Sequence, residues 1–381
     1  MKKNWQIKTL DEVCKIIMGQ SPPSDTYNEN AIGMPFFQGK AEFTDLYPIA
    51  RKYCNKPKKI AEPFDILLSV RAPVGTTNIA NQQCCIGRGL AALRFENYKY
   101  GFYFLRSIQY ELDSKGTGTT FRAISGETIR ETLIPYPCIE TQQAIVSKIE
   151  ELFSELDKGI EDLKTAQQQL KTYRQSVLKW AFEGKLTNDN VKDGELPKSW
   201  EIMKFGEVVN NYDGKRRPLS RDVRAKRQGK FRYYGATEIV DYIDDFLFDG
   251  KYLLIGEDGA NLVSKSRPLA FLVEGKFWVN NHAHIVQTKE LLNIDFLSYY
   301  FNSLNLAEYV TGTAQPKLNQ ANMNKIPIPI PKIEEQNEIV LELERRLSVA
   351  DKMEESIAHS LLQAESLRQS ILKKAFSGEL V

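Results

Sequence analysis

The chain has 381 residues, of which 42% are hydrophobic and 26% charged, and a net charge of +2. That is the composition of an ordinary globular protein with room for about two or three domains. No run of about 18 apolar residues exists to span a bilayer, and the opening MKKNWQIKTL lacks a signal peptide's apolar core, so a cytoplasmic location is expected.

Residues 1–133 read as a mixed, strand-rich domain. Trp5, Ile7 and Leu10 lead into a helical patch over Asp11–Met18, stopped by Gly19 and the turn SPPSD. Short β-rich runs follow, FDILLSV and CCIGRGLAALRF, then the helical GFYFLRSIQYEL and the polar loop KGTGTTFRAISGETI. The five cysteines (Cys14, Cys54, Cys84, Cys85, Cys138) contain no CxxC and read as reduced thiols.

Residues 134–187 are a first copy, and 328–381 a second, of one module. The copies align without a gap at an offset of 194 residues, with 23 of 54 pairs identical. Each opens with I-P-x-P-x-I-E-x-Q and closes with R-Q-S-[VI]-L-K-x-A-F-x-G-x-L. In the first copy Gln142, Ile145, Ile149, Leu152, Leu156, Gly159, Leu163, Ala166, Leu170, Tyr173, Val177 and Trp180 recur in steps of three and four, which predicts one helix over Thr141–Phe182, roughly 60 Å long at about 1.5 Å per residue. Prolines 135 and 137 block helix upstream and Gly184 stops it. The second copy repeats the pattern less strictly through Ile339, Leu343, Leu347, Ala350, Ile357, Leu361, Ala364, Leu367 and Ile371, with Arg346, Ser360 and Lys374 at seam positions. Each helix is acidic early and basic late, which suits its dipole and favours antiparallel pairing. The bland alternative packs each helix on its own domain.

Residues 188–327 read as a second globular domain. Its entry WEIMKFGEV echoes WQIKTLDEV, and its exit GTAQPKLNQANM echoes GTTFRAISGETI, whereas the interiors diverge. The expected fold class is therefore α+β: two strand-rich domains separated by two long helices packed as an antiparallel coiled coil, in approximate two-fold relation.

Signatures of catalysis are missing: no GxxxxGK[ST], GxSxG, HExxH or [DN]PP[YF] occurs, and no glycine-rich S-adenosylmethionine turn. His282 and His284 lack ligand-spaced partners and read as hydrogen-bonding groups rather than a metal site. The positive signal is charge. Between Lys204 and Arg232 stand ten basic and three acidic residues, interleaved with tyrosines, a pattern that suits phosphate contacts. The candidate DNA contacts there are Lys215, Arg216, Arg217, Arg221, Arg224, Lys226, Arg227, Lys230, Arg232 and Tyr233, with Lys317 in the exit loop. In the first domain they are Arg51 and Lys52, in the basic run RKYCNKPKK, and the turn residues Arg71, Arg88 and Arg122. Singly, each of these turn residues reads as structural rather than base-reading. The threonine-rich exits at Gly116 and Thr311 suit either backbone phosphates or docking against the helices.

On IPYPCIETQQAIV with RQSVLKWAFEGKLT, IPIPKIEEQNEIV with RQSILKKAFSGELV, CCIGRGLAAL and WVNNHAHIV, the chain resembles the specificity (S) subunits of type I DNA restriction–modification enzymes over its full length. The resemblance implies that each globular domain reads one half of a split DNA site while the helices act as a spacer. It also implies partners: duplex DNA, two copies of a methylation subunit that carry S-adenosylmethionine and methylate adenine, and restriction subunits that join them. This chain itself would then hold no cofactor and perform no catalysis. The competing expectations are a self-contained enzyme and a coiled-coil interaction scaffold that does not read DNA.

Overall fold

A computed structural model gives the fold over residues 5–118, 122–188, 190–192, 194–312 and 315–381. Parts of both threonine-rich exits, among them Thr119, Thr120 and Thr313, lie outside the described residues. Among the described residues no helix is long and apolar enough to cross a membrane. The chain forms two compact units, Met1–Lys164 with Ala358–Val381, and Thr165–Ile357. Each long helix thus contributes one half to each unit, so compactness divides the chain differently from the repeat.

The first unit is built on two sheets. One is antiparallel, in the order Cys14–Met18, Leu90–Phe95, Ile66–Ser69, Thr77–Ile79. The other has five short strands and one parallel pairing, in which Phe36 and Phe37 of Met34–Phe37 face Cys85 and Ile86 of Cys84–Ile86. A two-stranded pair, Gln6–Thr9 with Leu133–Tyr136, joins the two ends of the domain. The helix predicted over residues 11–18 is confined to Leu10–Val13, and Cys14–Met18 is a strand. Ile16 and Ile17 are β-branched, and pairing with Leu93 and Ala92 outweighs the weak local helical signal.

The second unit has the same plan. Its antiparallel sheet runs Val209–Asn211, Ala283–Thr288, Tyr252–Gly256, Ala270–Val273. Its second sheet again contains one parallel pairing, with Tyr233 and Tyr234 of Gln228–Tyr234 facing Trp278 and Val279 of Lys276–Val279. Glu201–Lys204 pairs with Pro327–Ile330 as the closing two-stranded piece. The interiors that diverge in sequence therefore share a topology.

The repeated motifs acquire physical roles inside these units. In each copy the motif glutamine reaches back to the carbonyl of the preceding proline: Gln142 Nε2 donates to Pro137 O at 3.0 Å, and Gln336 Nε2 to Pro331 O at 2.8 Å. Both glutamines are buried, so these bonds fasten the helix entries without leaving an orphaned amide. The helices span Ile139–Phe182 and Ile333–Ser377. The first ends against Gly184, whose φ of +78° and close approach to Pro197 exclude a side chain. The repeated phenylalanine is an anchor in both units. Phe182 packs edge-on against Phe296 and Tyr300 of the helix Ile294–Ser303, and Phe376 packs edge-on against Tyr100 and Phe104 of the helix Tyr98–Ser107.

Within each unit the two helix segments run antiparallel. In the first unit Ile145, Ile149 and Phe153 share a core with Ile371, Leu372 and Phe376; in the second Val177 and Phe182 share one with Ile339 and Leu343. The motif arginine crosses between helices in both: Arg368 pairs with Asp157 and lies over the Phe153 ring, and Arg174 reaches Asp351 at 2.6 Å and Glu354 at 2.9 Å. This is the acid-against-base arrangement that the charge split favours.

The heptad reading is corrected at three positions. Tyr173, Trp180 and Leu367 are 41, 51 and 50% exposed. Arg174 and Arg368, next in sequence to Tyr173 and Leu367, make the inter-helix ion pairs, and Tyr173 lines an open groove with Leu170, Met353 and Ile357 instead of entering a core. Leu152, Leu156, Leu163, Leu347, Ile357 and Leu361 are half-buried, while Leu170 is buried. Burial concentrates where the helices meet the globular cores, and no residue between 154 and 169 is buried.

Candidate nucleic-acid interface

The basic segment of the second unit folds into a turn, the short helix Arg221–Ala225 and the strand Gln228–Tyr234. There the candidate cations separate into two groups. Arg216 donates to Glu257 at 2.7 Å and to the Ala283 carbonyl at 2.6 Å, and its side chain is only 14% exposed. Arg224 donates to Asp241 at 2.9 Å and lies over the Tyr233 ring; Arg227 pairs with Asp244 and lies over Trp278. Arg232 donates to the Glu274 carbonyl and lies over Tyr234, and Lys317 sits 3.1 Å from Glu257. These five side chains serve the fold first. The segment's excess charge is therefore offset by Asp241, Asp244 and Glu257, which a window ending at Arg232 does not include. Tyr233, 1% exposed, uses its hydroxyl to accept from the Leu219 N–H and is an internal strut rather than a surface contact.

The second group is exposed. Arg217, Arg221 and Lys226 have no carboxylate partner among the described residues, and Lys215 and Lys230 lie over the rings of Tyr212 and Phe231. In the first unit Arg51, Lys52, Arg71 and Arg88 are likewise exposed and unpaired with any described carboxylate, whereas Arg122 reaches Asp113 at 3.3 Å. Such side chains can neutralise phosphates at little cost to the fold.

Behind the exposed set of the second unit lies a buried polar cluster. His284, 1% exposed, has Nδ1 at 2.5 Å from Asp213 and Nε2 at 2.7 Å from the Leu318 carbonyl. Burial alone pushes the Asp213 carboxyl up, but the hydrogen bond and charge of His284, the Ile285 N–H and Arg216 outweigh it and hold that carboxyl below its ordinary value. Glu257 is likewise lowered against the effect of burial, by Arg216, His284 and Lys317. His282 reaches Asp258 at 2.8 Å. Both histidines thus fasten loops to the sheet. Among the described residues no group of histidines, cysteines and carboxylates has the arrangement of a metal site.

The first unit holds an open polar cleft of about 600 Å³, lined by Gln20, Ser21, Tyr27, Phe36, Gln38, Lys52 and Arg88 among others. Tyr27 and Phe36 stack at 4.5 Å on its wall. Arg88 stands at the centre of a Gly-Arg-Gly turn between the strands Cys84–Ile86 and Leu90–Phe95. A Cβ on Gly87 would meet the Gln38 amide oxygen at 2.7 Å, and one on Gly89 the Gln38 carbonyl at 2.4 Å. The close approach is fastened by Gly87 N to Phe37 O (2.8 Å), Gly89 N to Gln38 O (3.0 Å) and Gln38 Nε2 to Ser21 Oγ (2.8 Å). Gln20 and Gln38 carry no charge and sit outside any basic run, so charge counting does not find them; the glycines flanking Arg88 are the signal that points there.

The family model described as "Type I restriction modification DNA specificity domain" matches residues 2–165 and again 197–360. The chain belongs to this family. Both matches cover a strand-rich region and run into a long helix, following the repeat. Among curated relatives, a candidate type I restriction enzyme MjaX specificity subunit of Methanocaldococcus jannaschii is 38% identical over 190 residues, covering 48% of this chain and 44% of that protein, so the match spans under half of that relative's length. The EcoBI specificity subunit of Escherichia coli is 23% identical over 99% of this chain and 86% of its own. A solved chain from work on complex assembly and conformational transition of the type I R-M system superposes over 100% of this chain and 99% of its own, with a TM-score of 0.78 at 17% identity. That likeness establishes the shared fold.

Proposed function

We propose that this chain is the DNA-reading subunit of a type I restriction–modification complex. Residues 1–133 and 188–327 act as its two target-recognition domains, and the paired helices as the spacer between them. The observation that carries this reading is one topology built twice with different exposed chemistry, in a member of this family. Two readers of common architecture but unlike surfaces suit an asymmetric, bipartite site with half-sites about one helical turn, roughly 10 base pairs, apart. The unpaired cations Arg51, Lys52 and Arg71 in one unit, and Arg217, Arg221 and Lys226 in the other, supply the phosphate contacts.

The repeated helix copies, which share their opening and closing motifs, offer two like surfaces, so two methylation subunits dock on them. Those partners bind S-adenosylmethionine and methylate adenine in the cytoplasm, while this chain contributes sequence selection and no chemistry of its own. The test is to express the chain with its methylation subunits and map the methylated adenines. The expected outcome is one bipartite motif with a fixed gap, lost when this chain is omitted. Methylation that is independent of this chain, or of a motif that survives replacement of both globular units, would overturn the reading.

A further inference from the structure

The two units can be aligned by hydrogen bonds where their sequences cannot. In the first, Val70 N donates to Gly89 O, Ile124 N to Val70 O, and Gly87 N to Phe37 O. In the second, Glu257 N donates to His282 O, Leu318 N to Glu257 O, and Asn280 N to Tyr234 O. The strands on either side pair alike, one parallel to its neighbour and the next antiparallel to two others. The turn Gly87–Arg88–Gly89 in the first unit is therefore equivalent to Asn280–Asn281–His282 in the second. Both central side chains are exposed, and neither makes a hydrogen bond or ion pair with another described residue. Both backbones are held rigidly, one by the glycine approach to Gln38 and the other by Asn280 Oδ1 accepting from His282 N at 2.8 Å.

We infer that this turn is the base-reading element of each unit, with Arg88 reading a guanine in the half-site of the first unit and Asn281 an adenine in that of the second. The inference rests on the proposed DNA-reading function and names the residues that set its specificity. An arginine guanidinium forks onto guanine O6 and N7, and an asparagine amide onto adenine N6 and N7, in the major groove. A backbone already fixed spares the loop-ordering part of the binding cost, so only the side chain itself has to be immobilised on contact. Lys52, on the wall of the same cleft, holds a phosphate and carries no base selectivity.

The test uses the full complex with its methylation subunits, bound to duplexes carrying the mapped site. Each guanine is replaced in turn by 7-deazaguanine and each adenine by 7-deazaadenine, which removes only the N7 acceptor. One guanine in one half-site should cost about tenfold or more in affinity. In the Arg88→Ala complex that guanine should cost nothing, while the other penalties stay. Asn281→Ala should likewise erase one adenine penalty in the other half-site, and Lys52→Ala should weaken every duplex equally. Should Arg88→Ala fail to assemble, Arg88→Met keeps a long stem without any donor and should still bind but lose the guanine preference. A complete set of deaza penalties in Arg88→Ala or Arg88→Met overturns the inference and leaves the DNA-reading function standing. Binding by the wild-type complex with no base preference anywhere refutes the function itself.

Discussion

Arg216 and Arg217 are neighbours in the same basic run, yet their environments assign them opposite roles. Removing the Arg216 side chain breaks its contacts to Glu257 and the Ala283 carbonyl and leaves Glu257, 11% exposed, with Lys317 at 3.1 Å and His284 at 3.8 Å. Breaking a buried pair by deleting one partner costs about 3–5 kcal/mol; with Lys317 still in place, Arg216→Ala should fall near the low end, about 3 kcal/mol. For a unit of this size each kcal/mol moves the midpoint by about 2–4 °C, so the transition of the second unit should drop by roughly 6–12 °C. Arg217→Ala removes an exposed side chain and should stay within about 0.5 kcal/mol of the parent. Its effect belongs to binding: one lost phosphate contact makes the slope of log affinity against log salt shallower by about 0.9. Thermal melts of both variants, with binding titrations between 50 and 200 mM salt (on the order of the range where such slopes are read), separate the two. An Arg216→Ala protein that melts like the parent and binds with the shallower slope would refute the assignment of Arg216 to the fold.

Phe182→Ala and Phe376→Ala each empty an aromatic anchor and should cost about 3–5 kcal/mol, read by denaturant titration. Leu367→Lys should change stability by less than about 0.5 kcal/mol because its side chain is half exposed, whereas Leu343→Lys, at a fully buried position, should prevent folding of the second unit; equal effects in circular dichroism melts would mean the seam is misplaced. The Asp241 carboxyl is held below its ordinary value by hydrogen bonds from Arg224 and Gln228. A lowered folded value means the unfolded chain takes up the proton first as pH falls. The stability from this pair is thus fully present above the ordinary carboxylate range and is lost on acidification through the folded value. Asp241→Asn should remove that part of the acid sensitivity, seen as a flatter dependence of the melting midpoint on pH between 5 and 3 (about the range in which carboxylates titrate).

The long-range architecture was legible because it is written twice. A gapless repeat at a fixed offset needs no knowledge of packing to be seen, and the motif residues Gln142, Arg174, Gly184 and Phe182 each proved to have a partner role that their copies Gln336, Arg368, Gly378 and Phe376 can repeat. Side-chain burial along the helices was less legible. Tyr173 and Leu367 fit a heptad on paper yet stay 41 and 50% exposed, while the arginine beside each pairs with an acidic residue on the opposing segment. The strand Cys14–Met18 was missed because its partner, Leu90–Phe95, lies some 75 residues away in sequence, and a local window registers only propensity.

Charge counting does not separate paired from unpaired cations. It weighs Arg216, Arg224 and Arg227 as heavily as Arg217 and Arg221, because sequence shows where charge is and not what neutralises it. The acids that engage the first three come from other strands. A cation held by a carboxylate must break that pair before it can displace counterions from DNA, so on the proposed reading the exposed set contributes most. The same logic raises the value of Arg88 and Asn281, which lie outside the densest basic run. Each is exposed, unpaired and mounted on a turn whose backbone the sheet holds in place. The backbone supplies position and the single central residue supplies selectivity, so a change at that residue alone can alter the half-site while the fold, the helices and the opposite unit remain as they are.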